Sequence, residues 1–273
     1  MYRTDIQMGA NGKLKAVGSD NATDVRQPLP KVEASNLVTS SKHGEAWKAK
    51  AGVSDPALDS LANTQAGIAR SFSTLTEIRD KQSPHNTQAQ HLDALNADYE
   101  KSVSRYATQL DRATEHANSR LTEIDSEARK AVGWDTSDAN ELRRVIREMN
   151  QQDRAAFISD AVANGDGQAL AAVLGSHPSL VGITKDQQRA YRQQMMQQNT
   201  PQLLALEQSL TEAKATTRDA YIEFIEQQDK VTAKAVRDKF AEQARQASEA
   251  RRKAENEGGN IGPSSPWDDL VQQ

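Results

Sequence analysis

The sequence predicts an all-α protein: a long antiparallel helical bundle or coiled coil, with a small inserted helical subdomain and extended N- and C-terminal arms. Apolar residues recur at steps of three and four over three long segments, which is the spacing of one helix face. Two of these segments open with a capping residue followed by proline. Only 36% of the 273 residues are hydrophobic and 4% are aromatic. One thick core is therefore not expected, and the chain divides into several parts.

Residues 1–55 form the first part, and they lack both helical and strand periodicity. Glycine, proline and small polar residues interrupt the segment, and its apolar residues are thinly spread. Such a segment buries too little apolar surface to offset its own chain entropy. It is either a disordered tail or an extended arm that becomes ordered on neighbouring subunits, and we favour the arm.

Residues 56–134 are predicted to form a long helical hairpin. The first helix begins at Ser54-Asp55-Pro56 and ends at Ser83-Pro84. The second runs from about Thr87 to Val132, and the short turn between them predicts antiparallel packing. The first helix places its seam at Leu58, Leu61, Gln65, Ile68, Phe72 and Leu75, with Ile78 widening the stripe. The second places its seam at Leu92, Leu95, Tyr99, Val103, Tyr106, Leu110, Ala113, Ala117, Leu121, Ile124, Ala128 and Ala131.

The remainder of the chain contains a subdomain, a third helix and a tail. Residues 135–200 have the highest apolar density and are predicted to form four or five short helices. The third long helix occupies 201–257, beginning at Thr200-Pro201, with a seam that includes Gln228, Val231, Ala235 and Phe240. Past Phe240 the seam is mostly alanine between mixed charges, which indicates either a solvated helix or one that packs closely against a neighbour. Residues 258–273 are a glycine-rich linker and a C-terminal docking peptide.

The sequence lacks the common motifs of catalytic and metal sites, which indicates a protein that is not an enzyme. The chain has no cysteine, and its five histidines lack the spacing of a zinc site. The turn at 164–167 lacks the terminal carboxylates of a calcium loop. Phosphate-binding glycine loops and nucleophile motifs are missing. We therefore expect no catalytic residue, no metal, no cofactor and no small-molecule substrate.

The predicted partners are proteins. The formal net charge of −4 makes nucleic acid an unlikely partner overall. The sequence has no run of 18 apolar residues, so no membrane contact is expected. We expect copies of the chain itself, in a ring or collar, together with other proteins of the same assembly.

Two groups of residues are candidates for partner binding. The C-terminal peptide offers Trp267 as an anchor, with Leu270 beside it and Asp268 and Asp269 placed to pair with basic residues. The alternative is a random tail that contains one tryptophan. Arg143, Arg144 and Arg147 form a basic cluster on one short predicted helix. That cluster is a solvated helix face, a contact for an acidic protein surface or, third, a contact for DNA.

One stretch resembles a known class of protein. Its segments are Asp153-Arg154-Ala155-Ala156-Phe157-Ile158, Asn164-Gly165-Asp166, Ala171-Ala172-Val173-Leu174-Gly175 and Pro178-Ser179-Leu180-Val181-Gly182-Ile183. This stretch resembles segments in uncharacterised structural proteins of tailed bacteriophages, over about 30 residues. The layout of polar arm, long helices, linker and terminal peptide is also similar to that of phage virion components. The resemblance implies a structural role and localisation in the virion, and it implies no catalytic residue.

These observations give three functional hypotheses. The first is a non-enzymatic virion component at the head–tail junction, in the tail or in the internal core. The second is a scaffolding protein or assembly chaperone that is absent from mature particles. The third is an internal ejection protein with cell-wall hydrolase activity, although the sequence lacks the Glu-Ser dipeptide that phage transglycosylase-type domains usually carry.

Overall fold

The computed structural model describes residues 6–8, 14–16, 27–82 and 86–258. The prediction of an all-α protein is confirmed, because nearly all of the described residues are helical. The α-helices of this part are α1 Asn36–Thr39, α2 His43–Ala51, α3 Pro56–Asp80, α4 Gln88–Ala131, α5 Ala139–Glu148, α6 Gln151–Asn164, α7 Gly167–Leu174, α8 Lys185–Asn199, α9 Pro201–Glu226, α10 Gln228–Val231 and α11 Lys234–Gly258. A 3₁₀ turn lies at Pro178–Leu180, and two short strands, β1 Ile6–Met8 and β2 Leu14–Ala16, pair antiparallel.

The chain forms two compact units. Of the described residues, the first unit contains those within 1–33, 74–100 and 227–258, and the second contains 34–73 and 101–226. Helices α3 and α4 each contribute residues to both units, so these boundaries differ from the expected division into consecutive segments. The coiled-coil geometry of the long helices stays a prediction.

In the second unit, α3 and α4 pack antiparallel as the short turn predicted. Asp55 caps α3, because its Oδ1 accepts a hydrogen bond from the Ala57 amide at 2.9 Å. The Oη of Tyr106 donates to the Gly67 carbonyl at 2.7 Å, and Nε of Arg120 donates to Asp55 at 2.8 Å. Moving forward along α3 from Asp55 to Gly67, the contacted residue on α4 therefore moves backward from Arg120 to Tyr106, as antiparallel packing requires. The predicted seam residues buried in this unit are Leu58, Leu61, Gln65, Ile68, Phe72, Tyr106, Leu110, Ala113, Ala117, Ile124 and Ala128.

Residues 36–51 differ from the extended arm expected through residue 55, because they form α1 and α2. Both helices pack on α9. Trp47 is buried, and Lys50 pairs with Glu212 of α9 at 2.6 Å. Gly52 ends α2 with a φ of 66°, in the left-handed region that favours glycine. The apolar surface that this segment lacks by itself is supplied by α9.

Residues 139–199 form a region of short helices, as the apolar density predicted, while its standing as a separate subdomain stays a prediction. The region contains α5, α6, α7, the 3₁₀ turn and α8. Thr184 and Gln187 form a capping box at the start of α8. The buried side chains of this region include Ile146, Ile158, Val162, Leu170, Val173, Val181 and Met196. These side chains share one core with Trp47 and the buried residues of α3, α4 and α9.

The prediction of one long helix over 201–257 is wrong, because the helix is interrupted between Glu226 and Lys234. Ala233 adopts a positive φ of 47°, which ends the helical path. Nε of Arg237 donates to the Thr232 carbonyl at 3.2 Å. The side-chain Nε2 of Gln227 donates to the backbone carbonyl of Glu33 at 2.9 Å. The interruption shifts the buried face by one residue, so Val236 is buried where Ala235 was expected.

The first unit buries several of the other predicted seam residues. Leu75 of α3, Leu92 and Leu95 of α4, and Val231 of α10 are all buried. Burial also raises the pKa of the Tyr99 phenol, because the phenolate would lose its hydration. Ile78, which was expected to widen the α3 stripe, is instead 40% exposed.

Candidate functional site: an arginine-lined cleft

The structure divides the predicted basic cluster on α5 into one half-buried arginine and two exposed arginines. Arg143 holds α5 to α7, because its Nε donates to the Ala172 carbonyl at 3.1 Å. Its Nη1 donates to Oδ1 of Asn140 at 2.7 Å. Arg143 is half-buried and therefore acts as an internal tether rather than as a free cation.

Arg144 and Arg147 are the exposed members of the α5 cluster. Arg144 lies 3.6 Å from Glu148 one turn away, a pair of highly exposed side chains that contributes little stability. The side chain of Arg147 has no partner among the described residues. Val145, between them in sequence, is 45% exposed.

The predicted C-terminal docking peptide lies outside the described residues. Trp267, Asp268, Asp269 and Leu270 follow residue 258, the last described position. Their role as a docking peptide stays a prediction.

The structure brings together a cationic site that the sequence analysis missed. Five residues of α3 and four of α4, all in the second unit, line a cleft of about 420 Å³. We call it the arginine cleft. Three of its lining residues are arginines, and none is a carboxylate. The complete lining is Ser60, Asn63, Thr64, Gly67, Arg70, Arg105, Tyr106, Gln109 and Arg112.

Tyr106 is the buried aromatic side of the arginine cleft. Its hydroxyl donates to the Gly67 carbonyl at 2.7 Å, and its ring meets the edge of Phe224 at a centroid distance of 6.1 Å. A Cβ at position 67 would lie only 2.9 Å from Cε1 of Tyr106. Glycine is therefore required at 67 so that the tyrosine ring can reach α3.

Arg105 is held over this tyrosine. Its Cζ lies 4.6 Å from the centre of the Tyr106 ring, and its Nη2 donates to the tyrosine hydroxyl at 3.0 Å. Stacking a guanidinium on an aromatic face is favourable and restricts its rotation. The remaining N–H groups of Arg105 have no partner in the described part of the chain.

The other two arginines of the cleft are exposed and unpaired. Neither Arg70 nor Arg112 forms an ion pair or a hydrogen bond with any described residue. Several other arginines of this unit bind carboxylates. Arg192 binds Glu207 at 2.9 Å and Asp125 at 3.3 Å, and these carboxylates raise its pKa against the opposing effect of burial.

A weak sequence signal for the cleft does exist. Ser60, Asn63, Thr64 and Gly67 recur at helical spacing beside the apolar seam of α3, and Arg105 and Arg112 are two turns apart on α4. Only the register of the hairpin places these two stripes opposite each other. That register depends on contacts such as Gly67 with Tyr106, which spacing alone does not specify.

Within the described ranges, no three His, Asp or Glu side chains lie close enough together to hold a metal ion. None of the helices described here combines the length and apolar character needed to cross a bilayer. Comparison with protein-family models, with curated proteins and with solved structures finds no match to this chain. The fold and the site together define an all-α helical-bundle protein that carries an exposed, arginine-lined cleft.

Proposed function

We propose that the protein is a non-enzymatic structural component of a tailed-phage virion, packing against neighbouring subunits through its helices. Two features support this proposal. One is the resemblance of residues 153–183 to phage structural proteins. The other, which carries the proposal, is the exposed segment of α11, residues 241–254.

Every residue of the exposed α11 segment is accessible to solvent. Ala244, Ala247 and Ala254 lie with Phe240 on one face, at steps of four, three and seven residues, and Arg251 occupies the intermediate position on that face. Small side chains let the axis of a second helix approach closely. Glu249 and other charged residues of both signs flank the stripe.

The composition of this segment explains how it forms a helix although all of its residues are exposed to solvent. Alanine, arginine, glutamine, glutamate and lysine have the highest helix propensities. The amide of Gln246 also donates to Glu242 one turn earlier, at 2.9 Å. A pre-formed helix loses less conformational freedom when a neighbour packs on it. It is therefore suited to be an assembly element, and the alternative is a helix that stays solvated.

The oligomeric state of the full chain tests this proposal. Light scattering after size exclusion should give a multiple of the 29.9 kDa chain mass. The double variant Ala244→Glu with Ala247→Glu adds two charges to the alanine face, and we expect it to shift the protein to the monomer mass. The matched control is Arg245→Gln with Asn256→Glu, which makes the same change of net charge on the opposite face and should leave the oligomer intact.

Two results would contradict the proposal. One is a wild-type chain that stays monomeric throughout the concentration range. The other is an oligomer that the alanine-face variant leaves unchanged.

A further inference from the structure

We propose that the arginine cleft binds a small phosphate-type oxyanion, such as inorganic polyphosphate or the phosphate chain of a nucleotide. The inference is independent of the virion role and departs from the expectation that the chain has no small-molecule ligand. It depends on the placement of three guanidinium groups, none of them paired with a described carboxylate, and several neutral donors around one 420 Å³ space.

The first argument is the balance of charge. Six arginines of the second unit outside the cleft form ion pairs with carboxylates, as Arg120 does with Asp55 at 2.8 Å. The cleft instead gathers Arg70, Arg105 and Arg112 with no carboxylate in its lining. Like charges that share a cleft repel one another, and a bound anion removes that repulsion. The local charge therefore selects an anion although the whole chain is acidic.

The second argument is that one cation is already oriented. Arg105 is stacked on the ring of Tyr106 and donates to its hydroxyl, while that hydroxyl donates to the Gly67 carbonyl. This chain of contacts fixes the guanidinium before any ligand arrives, which lowers the entropic cost of binding. The planar fork of arginine matches two oxygens of a phosphate group.

The third argument is the neutral part of the lining. Asn63 and Gln109 contribute amide N–H donors, and Ser60 contributes a hydroxyl. These groups satisfy the additional oxygens of an oxyanion without adding charge. The hydroxyl of Thr64 is already used, since it donates to the Ser60 carbonyl at 2.9 Å.

The size of the site favours a small ligand over a nucleic acid. The cleft volume lies within the range of pockets that hold small molecules, roughly 300–1,000 Å³. Binding of a duplex requires a basic surface that follows the phosphate backbone over many contacts. Here the cationic lining is confined to three arginines on two helices.

Calorimetric titration of sodium tripolyphosphate into the full chain tests the proposal, in a low-salt buffer without phosphate. We expect saturable binding of one equivalent. The double variant Arg105→Gln with Arg112→Gln should lose affinity by about tenfold or more, because charge-assisted hydrogen bonds are removed. The matched control is Arg144→Gln with Arg147→Gln, which makes the same charge change on α5 and should bind within about twofold of wild type.

A parallel titration with adenosine triphosphate distinguishes the source of the phosphate. Equal affinity for the two compounds assigns the site to the phosphate chain alone. Tighter binding of the nucleotide, lost in the same cleft variant, assigns it to phosphorylated nucleosides.

Two outcomes would overturn the proposal. One is the absence of saturable binding by either compound, and the other is equal weakening in the cleft variant and the α5 control, which would indicate diffuse charge attraction.

Nitrogen-15 spectra of the wild-type chain test the same site without any substitution. Tripolyphosphate must shift the arginine Nε resonance of Arg105, and an unshifted resonance at saturating ligand contradicts the proposed site.

Discussion

Replacing Asp55 provides the sharpest test of how α3 and α4 are held together in the second unit. The carboxylate is only 5% exposed and has two roles. Its Oδ1 caps α3 by accepting from the Ala57 amide at 2.9 Å, and its Oδ2 accepts from Nε of Arg120 at 2.8 Å. Arg120 also binds Glu127 at 2.7 Å. The hydrogen bonds that Arg120 donates, first to Glu127 and second to Asp55, raise the pKa of its guanidinium.

The two roles of Asp55 can be separated by two substitutions. Asp55→Asn keeps a side-chain oxygen that caps the helix as well as aspartate does, but it removes the charge opposite Arg120. Losing that charge should cost roughly 1.5 kcal/mol, the lower value for a charge-assisted hydrogen bond, because Arg120 retains Glu127. Asp55→Ala also removes the cap, which is worth about 1 kcal/mol, so we expect a total loss of about 2–3 kcal/mol.

Urea unfolding followed by tryptophan fluorescence measures these losses. Trp47 is buried in the second unit and reports on it. Asp160→Ala is the matched control, since Asp160 is an exposed residue of α6 and its replacement should change stability by less than about 0.5 kcal/mol. Equal effects of Asp55→Asn and Asp55→Ala would refute the separation of roles. An Asp55→Ala protein as stable as wild type would refute both roles.

Three further substitutions test other contacts by the same urea assay. Gln65 is fully buried and donates to two carbonyls at the end of α1, so Gln65→Leu should cost about 2–4 kcal/mol by leaving both acceptors unpaired. A loss below about 0.5 kcal/mol would show that water replaces the amide. The Arg154 guanidinium donates to four backbone carbonyls, those of Ile146, Arg147, Met149 and Gly182. Arg154→Gln should lower the free energy of unfolding by about 2–3 kcal/mol, and an unchanged urea midpoint would contradict this. Thr184→Ala should cost about 1 kcal/mol, while Thr184→Ser should retain the cap, and equal losses would argue against capping.

The parts of the fold that the sequence predicted are those with a repeated local signal. Leu58, Leu61 and Ile68 recur at heptad spacing and are all buried. The cap and proline at Asp55-Pro56 mark the start of α3 at the residue where the structure begins it. Such signals lie within the element that they specify, so a single chain suffices to detect them.

The parts that the sequence did not predict depend on distant contacts. Helix α2 gains its buried surface from α9, which lies more than 150 residues further along the chain. The interruption near Ala233 is accompanied by a hydrogen bond from Gln227 to Glu33 at the other end of the chain. The arginine cleft likewise requires the register between α3 and α4. None of these features produces a periodic pattern in its own segment.

The proposed virion role implies that a phage encodes the chain, and quantitative mass spectrometry of purified, finished particles of that phage tests this central claim most directly. The proposed role predicts that the protein is present in a fixed number of copies per particle, and that residues 241–254 are protected from hydrogen exchange there. Absence of the chain from finished particles would contradict that role and favour the scaffolding hypothesis. Full exchange of 241–254 within particles would show that α11 is not the packing surface.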